Sequence, residues 1–197
     1  MTATQSPKTN TDAKAAYGVV LSSDTIRFDR VLPGPIERVW SYLVDSEKRS
    51  RWLAEGPMEA KAGGVVHLTW HNNALSKSKN LDDDPAPEKY AKWAECADKT
   101  GQVTAYEVNR LLAFTWGDPA KNPSHVTFEL SPTADGKVNL TVLHQRLRDR
   151  NDMLSVSGGW HTHLDYLVAE LTGEQPEGFW RQFARLEKEY DGRLPQS

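Results

Sequence analysis

The stretch "SGGWHTHLDYLVAEL", residues 157–171, places Trp160, Leu164, Leu167 and Leu171 at steps of four, three and four. That spacing keeps all four on one side of an α-helix, which no strand would do. The same stretch carries His161, His163 and Asp165 in alternate positions. On a strand, alternate residues share a face, and two such histidines could grip one metal ion. On a helix they lie about 200° apart and point to opposite sides. The helical reading therefore removes a His161–His163 metal site. His161 stands four residues before Asp165, an ordinary surface pairing worth about 0.3 kcal/mol. His163 borders the apolar stripe and is expected to face the interior.

Working backward, the period changes to two. "VNLTVLHQRL" (138–147) puts Val138, Leu140, Val142 and His144 on one side of a strand, and "ADGK" (134–137) is the hairpin turn before it. "SHVTFELSP" (124–132) aligns Val126, Phe128 and Leu130, and "RLLAFTWG" (110–117) aligns Leu112, Phe114 and Trp116. "GQVTAYEVN" (101–109) is a further strand. Residues 72–100, including "LDDDPAPEKYAKWAE", form a long polar connection with a helical turn or two near Glu88 to Glu95. "PMEAKAGGVVHLTW" (57–70) gives a short strand, a Gly63-Gly64 turn and a longer strand to about His71.

Nearer the start, "TIRFDRVL" (25–32) alternates Ile26, Phe28 and Arg30 against Arg27, Asp29 and Val31. "PGPIERVWSYLV" (33–44) then sets Ile36, Val39, Trp40 and Leu43 on one helical face, with Pro35 at its first turn. A second short helix runs from Ser46 to about Trp52. Residues 1–23 are small and polar and are expected to be a flexible tail. Beyond residue 171, Gly173 ends the long helix and Pro176 precedes another, with Phe179, Phe183, Leu186 and Tyr190 on one face. The order is strand, two helices, six strands, long helix, further helix. That pattern implies an antiparallel meander with one amphipathic helix laid across it.

Composition excludes several functions. The net charge of -3, with both signs interspersed, provides no basic stripe for nucleic acid. No run approaches the roughly 20 apolar residues of a membrane span, and no signal-like segment opens the chain, so a cytoplasmic location without membrane insertion is expected. Cys96 is the only cysteine and has no local base in "KWAECADK". "LSVSGGW" lacks the flanking glycines of a nucleophile elbow, and no phosphate-binding glycine loop occurs. His67 and His71 share a strand face but lie roughly 13 Å apart. Glu107 and Glu129 read as solvated. No metal, cofactor or catalytic motif is expected. Seven tryptophans remain, of which Trp40, Trp116 and Trp160 fall on inward faces and Trp52 lies at the helix junction. Buried indoles need hydrogen-bond acceptors, so they often border partly wet clefts.

The segments "VLPGPIERVWSYLVDSEKRSRWL", "GPMEAKAGGVVHLTW", "LLAFTWG", "HVTFELSP", "LTVLHQRL" and "GGWHTHLDYLVAEL" together resemble the START-like (SRPBCC) superfamily. Within it they resemble the group named for the activator of heat-shock protein 90 ATPase. The resemblance spans about Thr25 to Leu171. It implies an α+β helix-grip (Bet v 1-like) fold over residues 24–172, a curved antiparallel sheet wrapped around a long C-terminal helix, with residues 173–197 a helical extension packed on it. It also implies a cavity between sheet and helix, walled by Trp40, Trp52, Phe114, Trp116, Phe128, His144, Trp160 and His163. The expected function is binding of an apolar or aromatic small molecule without turnover. The alternatives are a polyketide cyclase or aromatase in which His144 acts on the ligand, and a chaperone co-factor. The namesake's separate N-terminal domain, which has no counterpart in these residues, argues against the last. The Phe179–Tyr190 face would cover the domain or make a homodimer.

Overall fold

In the computed structural model, residues 17–77 and 83–195 are described. Thirteen elements build the fold among these residues: β1 (Val19–Ser22), β2 (Thr25–Pro33), α1 (Ile36–Val44), α2 (Ser46–Ser50), β3 (Val65–Trp70), α3 (Asn72–Lys77), α4 (Ala91–Ala94), β4 (Ala97–Glu107), β5 (Leu111–Thr115), β6 (His125–Pro132), β7 (Lys137–Gln145), α5 (Arg150–Thr172) and α6 (Phe179–Arg193). The strands form one antiparallel sheet in the order β1-β2-β7-β6-β5-β4-β3.

Strand parity dictates the inner face. Phe28 pairs with Val142, Val142 with Phe128, and Phe128 with Leu112, so one row of the sheet is wholly apolar. The adjacent row runs Ile26, His144, Val126 and Phe114, and every member is buried. Arg30 shares that inward parity and is only 2% exposed.

Against this face lies α5. Its first turn is capped by Asp149, whose carboxylate accepts the Asp152 N–H, and it ends at Gly173 with φ 76°, a left-handed cap that favours glycine. Beside the end of α5, α1 and α2 close the sheet: the Arg38 guanidinium donates to the Leu171 carbonyl at 3.0 Å. The buried Arg49 ties this corner together, donating to the carbonyls of Val44 and Ala54 at 3.1 and 3.0 Å. A helix with only one covered side would leave half of α5 in water. Here α6 covers the rest, and Phe179, Trp180, Phe183, Leu186 and Tyr190 are all buried.

Four expectations need correction. Residues up to Ser23 were expected to be a tail, yet Val19–Ser22 forms β1 on the edge of the sheet. The Gly18 N–H donates to the Tyr190 hydroxyl at 2.7 Å, so α6 holds this segment in place; residues 1–16 lie outside the described residues. The short strand before Gly63 reduces to isolated bridges at Glu55 and Met58, because Gly56 adopts φ 117° and Pro57 lacks a ladder donor. The 72–100 connection contains α3, a 3-10 turn at Glu88–Tyr90 and α4, and its last residues already belong to β4. The expectation that His161 lies on the surface also fails: it is 3% exposed, because α6 packs over it.

Candidate functional site

Of the eight expected wall residues, five form one contiguous group. Trp116, just past β5, lies 5.3 Å from Trp160 and 5.4 Å from His144 between ring centroids, and 6.1 Å from Phe114. Phe128 meets Trp160 edge-on at 5.6 Å. Trp40 and Trp52 lie apart from this group. Trp40 packs edge-on against Tyr106. Trp52 is fully buried and donates its indole N–H to the Tyr42 carbonyl at 2.9 Å. His163 bridges the two regions: its Nδ1 lies 2.7 Å from the Trp52 carbonyl and its ring 5.0 Å from Phe179.

A cavity of about 750 Å³ opens beside the aromatic group, between the β3–β4 edge of the sheet and the two C-terminal helices. Trp116 and His163 line it; Trp40, Trp52, Phe114, Phe128, His144 and Trp160 do not. The sheet contributes Trp70, and α6 contributes Phe179, Trp180 and Phe183. Tyr90 and Trp93 roof it from the 72–96 connection, Tyr90 by stacking on Trp180 and meeting Phe183 edge-on. Trp93 is 52% exposed at the mouth. Gly159 supplies a gap in α5, where a side chain would otherwise occupy the space.

The sequence reading missed Trp70, Tyr90, Trp93 and Trp180 as wall residues. Tyr90 and Trp93 did carry a signal, a three-residue aromatic spacing inside an otherwise polar segment. Trp180 stands one position off the Phe179–Phe183 stripe and was masked by it.

The polar groups are fixed by their partners. Trp160 Nε1 donates to His144 Nδ1 at 2.9 Å, and His144 Nε2 lies 2.8 Å from Ser124 Oγ. Burial, and then the nearby Lys99 charge, push the His144 pKa down to about 3. Burial likewise takes His163 down to about 4, against the hydrogen bond to Trp52. Because a carbonyl only accepts, the His163 proton sits on Nδ1, and Nε2 carries a lone pair on the cavity side. The Cys96 thiol, also in the lining, is raised by desolvation and by Asp98, so it is a poor nucleophile. Among the described residues, no three His, Cys, Asp or Glu side chains converge as a metal site. No described helix is long and apolar enough to cross a membrane.

A curved antiparallel sheet holding a long C-terminal helix over an aromatic-walled cavity defines a helix-grip protein. The family described as "Activator of Hsp90 ATPase homolog 1-like protein" matches residues 33–172, and the chain belongs to it. Among solved structures, the protein encoded by gene BPP1335 from Bordetella parapertussis is 39% identical over 98% of this chain and 97% of that one, with a TM-score of 0.75. CalU16 from Micromonospora echinospora shares the fold at 18% identity, covering 90% and 94% of the two chains with a TM-score of 0.59. A conserved protein of unknown function from Enterococcus faecalis, EF2215, does so at 18% identity, covering 93% and 92% with a TM-score of 0.60. A search of the curated proteins finds no match.

Proposed function

We propose that the protein binds an aromatic small molecule, without turning it over, in the cavity between the β3–β4 edge and α5–α6. The aromatic-walled space of about 750 Å³ carries this reading. Its size is within the range of small-molecule sites, and the polar side chains that share its lining, Asn72, Lys92, Asp98, Lys99 and Ser155 beside His163, suit orientation of a ligand. The His163 Nε2 lone pair would accept from a ligand hydroxyl or N–H. Its low pKa makes it a weak base, which favours recognition over proton transfer. A ligand of about 20 heavy atoms, at about 0.3 kcal/mol per atom, would bind in the range of tens of micromolar.

The test uses the apolar fluorophore N-phenyl-1-naphthylamine and the substitution Gly159→Leu. A Cβ at Gly159 meets its nearest neighbour, a Phe183 ring carbon, at 3.9 Å, so a leucine enters the cavity without displacing backbone. Leucine also favours helix over glycine by about 0.8 kcal/mol, so the fold should survive. The parent protein should bind the dye, return it chemically unchanged, and lose at least tenfold in affinity with Gly159→Leu. No binding by the parent, or equal binding by a folded variant, overturns the cavity reading.

A further inference from the structure

The ligand's polar end can be inferred from a second, smaller recess, and this step rests on the cavity reading above. The recess, of about 530 Å³, shares Lys99, Trp116 and Ser155 with the larger cavity and extends past them to Ser124 and Arg146. Trp116 therefore presents one side to an aromatic cavity and the other to a polar recess.

Three observations assign the chemistry of that recess. The first is the orientation of Ser124. An indole N–H can only donate, so His144 Nδ1 must accept from Trp160, and the proton of the neutral ring sits on Nε2. Nε2 then donates to Ser124 Oγ, which leaves the serine hydroxyl hydrogen to be given away. No described residue accepts it. The second is charge. Asp118 and Asp152 also line the recess, but they pair with Lys121 at 3.9 Å and Arg148 at 2.6 Å. Lys99 and Arg146 form no ion pair with a described residue, and both lie exposed on the recess wall. The third is backbone: Arg146 follows β7 with φ 60°, a conformation that favours asparagine or glycine, and it aligns the side chain with this recess instead of the next strand position. Beside the neutral Asn122 and Ser155, the recess therefore offers one hydroxyl hydrogen, from Ser124, and two positive charges with no carboxylate partner among the described residues.

We propose that this recess seats an acid group, so that the ligand is an amphipathic aromatic acid. Its ring lies in the larger cavity against Trp116, and its carboxylate or sulfonate sits among Ser124, Lys99 and Arg146.

Two dyes separate this inference from the one it rests on. 8-Anilino-1-naphthalenesulfonate has the skeleton of N-phenyl-1-naphthylamine plus one sulfonate. The parent protein should bind the sulfonate about tenfold more tightly than the neutral dye, the scale of one charge-assisted contact. The double substitution Lys99→Gln/Arg146→Asn should remove that advantage, read as the ratio of the two affinities, because Lys99 also lines the larger cavity and its loss shifts both dyes together. Both positions are exposed, and asparagine tolerates the positive φ at 146, so the fold is not at stake. Equal binding of the two dyes by the parent, or an advantage that survives the double substitution, overturns the acid-group site while leaving the cavity intact. If the neutral dye fails to bind the parent at all, the cavity reading fails and this inference falls with it.

Discussion

Between Trp160 and Ser124 the His144 ring has no choice of tautomer, and that makes it a structural hinge of the aromatic group. Both nitrogens are engaged, so His144 reaches a ligand only through Ser124. His144→Leu keeps the bulk but strands a buried indole N–H. It should cost about 1–3 kcal/mol in urea unfolding, and combining it with Trp160→Phe should cost less than the sum of the two single changes, since the lost partner is then absent on both sides. A fully additive double mutant would mean that the bond contributes nothing. Trp116 differs because it touches the open space. Trp116→Leu should weaken N-phenyl-1-naphthylamine binding about thirtyfold, on the order of 2 kcal/mol, with unchanged far-ultraviolet circular dichroism. Strand parity alone placed His144 inward, so its burial was legible in the sequence. Its partners were not, because Ser124 and Trp160 reach it from a loop and a helix.

The same limit governs whole elements. The Phe179–Phe183–Leu186–Tyr190 stripe announces α6, and its burial is complete. Its start, however, carries no capping side chain of its own: the N-cap is Gly178. Asp84, from the distant 72–96 connection, accepts the N–H groups of Trp180 and Arg181 at 2.8 and 2.9 Å, and Ser76 accepts that of Phe179 at 2.8 Å. A Cβ at position 178 would meet the Asp84 carboxylate carbon at 2.7 Å, so the glycine makes room for a cap supplied from elsewhere. A negative charge at a helix N-terminus is also stabilised by the positive end of the helix dipole. Asp84→Ala should therefore cost about 1–2 kcal/mol. It should also speed amide exchange in residues 88–95, which roof the cavity and are latched to α6 by Lys89 and Tyr90 on Glu187. Faster exchange in α6 alone, with the roof unchanged, would show that Asp84 does not couple the two. This covering by α6 is also what buried His161: the ring sits 3.0 Å from the Tyr190 hydroxyl, a contact that helical periodicity within residues 157–171 could not reveal.

At the scale of the molecule, the meander from β3 to β7 was readable because its strands are neighbours in sequence, whereas the β2–β7 pairing closes across most of the chain. Thr141 donates to Asp29 at 2.7 Å over 112 positions. The core this closure creates holds two neutral histidines, and they set how the whole fold responds to acid. His144 and His163 have native pKa values of about 3 and 4 against an ordinary 6.5. Above pH 6.5 neither state binds a proton at these rings, and they add no pH dependence. Below it the unfolded chain takes up protons that the native rings refuse, so stability falls as the pH drops toward 4. Each ring contributes a slope of about 1.4 kcal/mol per pH unit in that window, and the pair should cost the fold about 3–4 kcal/mol between pH 7 and pH 5. His125, lowered by its burial and by Arg146, acts in the same direction, while the exposed His71, raised by its bond to the Glu95 carbonyl, acts against it. The depressed carboxylates, such as Asp152 beside Arg148, lose their contribution only below about pH 4, outside the window. His163→Asn keeps a donor for the Trp52 carbonyl but cannot titrate. Urea midpoints measured from pH 7 to pH 5 should therefore fall with about half the parent's slope in this variant. A folded variant whose slope matched the parent's would place the proton uptake on other groups and leave His163 without a part in it.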